Sequence, residues 1–129
     1  MPNTALYAAQ LALLFIFLSV RVIAARRAAK VAVGDGGDKF LLRRMRVHAN
    51  FAEYVPFALV LMALAESQRA PALLLHALGA ALVLGRCVHA YGVSQPQETI
   101  SLRVFGMSMT LAVIAVAALT NLGLALVRP

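Results

Sequence analysis

Arg43, Arg46, Asn50, Glu53 and Tyr54 interrupt an otherwise apolar stretch of the chain. At about 100° per residue they fall within roughly a 100° arc of a helix, with Arg44 and His48 off that stripe. Two later segments carry matching residue types: Arg86, with His89 one turn on, and Arg103, whose own face continues through Gly106, Met107, Thr110 and Asn121. Guanidinium groups pair with carboxylates in bidentate fashion. An amide both donates and accepts, and Glu53 can receive an ammonium. Together these residues make a poor proton relay and a good cage for an anion that also carries an ammonium. The alternative is that Arg46 and Glu53 neutralise each other, or a neighbouring helix, and brace the bundle without any ligand.

The elements that position these residues follow from composition. The chain has 129 residues, 62% of them apolar and 13% charged, with mean hydropathy +0.84. A soluble domain is about 45–50% apolar and about 25% charged, so this is an all-α membrane protein of one domain. A helical span needs about 20 apolar residues, and four windows qualify, at about 4–25, 40–66, 70–91 and 100–127. The second window is apolar only over 55–65 and reaches a spanning length by including the polar stripe. The first could pass for a secretory signal, but its arginines follow the apolar run instead of preceding it, so it is read as a retained first span. Gly79, Ala80, Gly85 and Gly106 would let helices approach closely.

The net charge of +7 would ordinarily raise nucleic acid as a partner. Eight of the twelve basic residues, however, lie between Arg21 and Arg46, beside a hydrophobic span and without interleaved aromatics. That placement is a topology signal and argues against nucleic acid. It orients the chain as a multi-pass protein of a bacterial inner membrane, with loops 26–40 and 92–99 cytoplasmic and both termini outside. Arg21, Arg26 and Arg44 are then interfacial anchors, while His48 and His76 are interfacial or packing residues. The single cysteine, Cys87, reads as a small buried apolar residue, and three scattered histidines give no metal site.

The run Arg46-Val-His-Ala-Asn50-Phe-Ala-Glu53-Tyr54-Val-Pro56 resembles the signature of the MAPEG family, the membrane-associated proteins in eicosanoid and glutathione metabolism. The resemblance extends to the four short spans, the basic first loop, Gly85-Arg86-x-x-His89 and Arg103. It is nearest to the microsomal glutathione transferase and leukotriene C synthase branch, in a bacterial-type member. It implies a homotrimer binding glutathione between subunits near the cytoplasmic face. Arg43, Arg46, Asn50, Glu53, Tyr54, Arg86 and His89 are then the glutathione-binding residues, and Arg103 is the catalytic residue that stabilises the thiolate. Val93 stands where active members often carry tyrosine, and Val104 follows Arg103 in place of serine.

Glutathione, with two carboxylates and one ammonium, fits the cage read from the residues. Its thiol titrates near 8.5 like a model cysteine, and a guanidinium beside the sulfur favours the nucleophilic thiolate. The expected activity is a glutathione-dependent transferase, with peroxidase activity as an extension, acting on hydrophobic electrophiles that enter from lipid between helices one and four. The alternative is a non-catalytic lipid- or glutathione-binding scaffold of the same fold. A small multidrug exporter is disfavoured, since the first helix carries no acid.

Overall fold

The computed structural model describes residues 1–127. Four helices follow in order: α1 (Pro2–Ala29), α2 (Lys39–Ser67), α3 (Ala72–Ser94) and α4 (Ile100–Val127). Each is long and apolar enough to cross a membrane, as the all-α reading requires. The ends are set by local chemistry. Lys30 closes α1 in the left-handed conformation, Asp38 caps α2 by accepting the Leu41 amide at 3.0 Å, and the intervening loop turns on Gly34, Gly36 and Gly37, all at positive φ.

Helices α2 and α3 pack on each other and on both outer helices, whereas α1 and α4 do not touch. The approach from lipid expected between helices one and four is therefore not formed within one chain, because those helices do not pack on each other. The core runs along the α1–α2–α3 seam through Leu11, Leu18, Val47, Phe51, Val55 and Leu82. Large apolar side chains such as Leu13, Phe17, Leu119 and Leu126 point outward, the inverse of a soluble protein, because lipid is as apolar as the core.

The backbones of α3 and α4 approach closely. A Cβ on Gly106 would stand 2.6 Å from the carbonyl oxygen of Gly85 and 2.6 Å from the amide nitrogen of His89. Gly79 likewise leaves room for the Tyr7 ring, so three of the four small residues expected at close approaches occupy them. Ala80 is exposed instead.

The end of the bundle that carries the α2–α3 turn is fastened by polar groups. Glu66 at the end of α2 accepts the Asn3 amide at 3.0 Å and the Thr4 amide at 2.8 Å, supplying partners for first-turn N–H groups that α1 cannot satisfy itself. Asn121 donates to the Leu61 carbonyl at 2.8 Å and accepts from Gln68 at 2.7 Å. It therefore locks α4 to α2 and stands apart from the polar face expected to run up from Arg103.

Candidate functional site

At the opposite end, where the arginines gather, the bundle opens into a cavity of about 440 Å³ lined by Lys39, Leu42, Arg43, Arg46, Asn50, His89, Val93, Glu98 and Arg103. Four cations thus face one carboxylate. The first turns of α2 bring Lys39, Arg43, Arg46 and Asn50, the last turns of α3 bring His89 and Val93, and the α3–α4 connection with the start of α4 brings Glu98 and Arg103. Gly92 permits this last approach, since a Cβ there would meet Leu102 at 2.9 Å and the Arg103 amide at 3.0 Å.

Behind the wall lies Arg86, only 1% exposed. Its Nη2 donates to Asn50 Oδ1 at 2.7 Å and to His89 Nδ1 at 3.2 Å, and its Nη1 donates to Thr110 Oγ1 at 3.3 Å. Thr110 in turn donates to the Gly106 carbonyl, and the guanidinium sits 5.8 Å from the Phe51 ring centre. Burying a charge in a spanning helix is costly unless its donors are used. Here they fix two residues of the cavity wall. Arg86 therefore braces Asn50 and His89 and does not line the cavity.

At the mouth, Arg103 Nη1 donates to Glu98 Oε1 at 2.7 Å, and the other Glu98 oxygen lies 3.9 Å from Arg43 Nη1. Arg43 also reaches the Val93 carbonyl at 3.5 Å. Arg46 makes no hydrogen bond or ion pair among the described residues and is exposed.

The polar stripe of α2 is split by its own width. Arg43 and Asn50 face the cavity, and Tyr54, half-buried, lies within electrostatic reach of Arg86. Glu53, at the edge of the arc, is exposed on the outside of the bundle and does not line the cavity. Arg46 and Glu53 do not neutralise each other within one chain: seven residues of helix separate them by about 10 Å. The carboxylate among the arginines is Glu98, which periodicity could not find because it sits in a loop. The available signal was an acid five residues before Arg103 in the turn that joins α3 to α4.

Several side residues sit where expected. His48 stacks on Phe15 at 4.8 Å and bonds Ser19 at 3.0 Å, His76 pairs with Tyr7, and Arg44 covers the Phe40 ring and donates to the Arg21 carbonyl. Cys87 departs from its expected burial. It is exposed, because it follows Arg86 by one residue and so turns away from the α4 contact.

A model of the MAPEG family matches residues 4–123. The chain is 38% identical over 119 residues to the inner membrane protein YecN of two Escherichia coli strains, covering 92% of this chain and 89% of the relative. With four helices fit to span a membrane, it is an integral multi-pass protein of the inner membrane. Match length and identity together make the chain a member of the MAPEG family.

Proposed function

We propose that the cavity binds glutathione and that the protein is a membrane-bound glutathione transferase acting on hydrophobic electrophiles. The observation that carries the reading is the charge of the lining, with Lys39, Arg43, Arg46 and Arg103 set against Glu98 alone and Asn50 and His89 held rigid by Arg86. The two carboxylates of glutathione would pair with Arg43, Arg46 and Lys39. Arg103 would stabilise the thiolate. With an aromatic halide as electrophile, a sulfur–carbon bond forms and the carbon–halogen bond breaks; the halide leaves with the electron pair and the thiol proton passes to water. The apolar groove between α1 and α2, lined by Leu11, Phe15, Phe51, Val55 and Pro56, offers a lipid-facing place for the second substrate.

The same reading includes assembly into a homotrimer. Glu53 lies about 20 Å along α2 from Lys39, near the depth at which a charged side chain costs about 2.5–3.5 kcal/mol on the insertion scale, and it has no hydrogen-bond or ion-pair partner among the described residues. A neighbouring copy would cover Glu53 and Arg46 and complete the site. A non-catalytic glutathione or lipid binder is the second reading, favoured by Val93, which lines the cavity without a hydroxyl.

The test uses detergent-purified protein. Glutathione should raise its thermal midpoint and produce thiolate absorbance in the ultraviolet, and conjugation of an aromatic halide should follow. Stabilisation without turnover selects the scaffold; no stabilisation by glutathione removes both thiol readings.

A further inference from the structure

Glu98 sits at the centre of the cationic mouth and on no helix, and neither the family match nor the α2 stripe gives it a part. One of its oxygens holds Arg103 at 2.7 Å and the other faces Arg43 at 3.9 Å, with the side chain 22% exposed. The remaining polar groups of the cavity wall offer mostly donors. Asn50 commits its oxygen to Arg86, leaving its NH₂ to face a ligand. His89 accepts from Arg86 at Nδ1, so the neutral ring carries its proton on Nε2 and donates. The Val93 carbonyl already faces Arg43. Among the residues that one chain contributes, a ligand's ammonium, which has three donors and no acceptor, therefore meets one strong acceptor in the cavity, the Glu98 carboxylate.

From this geometry we infer that Glu98 is the specificity-determining residue of the cavity: it receives the ammonium of a zwitterionic thiol and, in doing so, releases Arg103 to the thiolate. The inference rests on the glutathione reading above and moves the ammonium-binding role from Glu53 to Glu98. The carboxylate exchanges one cation for another. Within the chain it is the counter-anion of Arg103. When an ammonium takes its place, the guanidinium recovers its donors for the sulfur. Recognition of the amino group and activation of the thiol become one event. A thiol that lacks the ammonium must compete with Glu98 for Arg103.

The experiment compares the wild-type protein with Glu98→Gln against three probes: glutathione, the same tripeptide with glutaryl in place of γ-glutamyl and hence no amino group, and inorganic sulfate. The wild type should bind glutathione about tenfold or more tightly than the glutaryl peptide, as expected of a charge-assisted contact. Glu98→Gln should erase that ratio. Sulfate, which needs only the cations, should bind Glu98→Gln more tightly than the wild type. An unchanged preference for glutathione in Glu98→Gln overturns the role of Glu98 while leaving the glutathione reading standing. A sulfate gain with no binding of either thiol by the wild type overturns the glutathione reading, and the ammonium role with it. Equal sulfate binding by both proteins overturns the placement of Glu98 as counter-anion whatever the thiols do.

Discussion

Arg103 and Arg86 carry the same charge but differ in placement, one exposed at the mouth and the other sealed behind the wall. Arg103→Ala should therefore return the bound thiol to an ionisation near 8.5, seen as loss of thiolate absorbance at neutral pH, while glutathione affinity falls less than tenfold. Equal loss of binding and ionisation would place Arg103 with the carboxylate-binding residues. Arg86→Ala should weaken glutathione binding by freeing Asn50 and His89. Because Arg86 and Asn50 act as one unit, the combined Arg86→Ala, Asn50→Ala variant should lose no more than the worse single variant. That coupling of about 1–2 kcal/mol is read from a double-mutant cycle of binding affinities; additive losses would show that Arg86 reaches the ligand by another route.

At the scale of the helix, the α3–α4 contact sets where the wall stands. Gly106→Ala would push its Cβ into the Gly85 carbonyl and the His89 backbone, neither of which can yield as a flexible side chain would. A loss of about 1–3 kcal/mol is expected, measured as a lower thermal midpoint in detergent; Gly123→Ala, with nothing within 4 Å, is the control. Asp38→Ala should remove the α2 cap, at about 1 kcal/mol. This scale also explains what was legible in the sequence. The inward placement of Arg43, Asn50, Arg86 and His89 is legible because helical phase and span length determine which way a residue points. Phase does not distinguish Glu53 from Glu98, since it gives a face but not its neighbour, and a loop residue has no phase. That α1 and α4 stand apart likewise depends on packing order, which apolar windows do not encode.

For the molecule as a whole, the distribution of charge sets orientation. Eight of the nine residues around the cavity come from the chain segments 39–50 and 89–98, next to the two loops expected in the cytoplasm. Val33→Cys in a Cys87→Ala background should react with an impermeant thiol reagent only from the cytoplasmic side, since Val33 is 88% exposed in the first loop; labelling from outside would invert the topology. Cross-linking in native membranes should give trimers, and Glu53→Leu should change their abundance if that carboxylate faces a neighbouring copy. An unchanged cross-linking pattern would leave Glu53 facing something other than a second chain.

Glu66 has a consequence for how such a chain is put together. The first span enters the bilayer with its leading amides unpaired, and the group that accepts two of them sits at the far end of the second span. The α1–α2 hairpin is thus fastened at one end by Glu66 and joined at the other by the glycine-rich turn. The cavity, by contrast, needs the last two helices. The first two helices carry their own fastenings at both ends, while the charged mouth draws on residues from α2, α3 and the start of α4 and exists only once all three have come together.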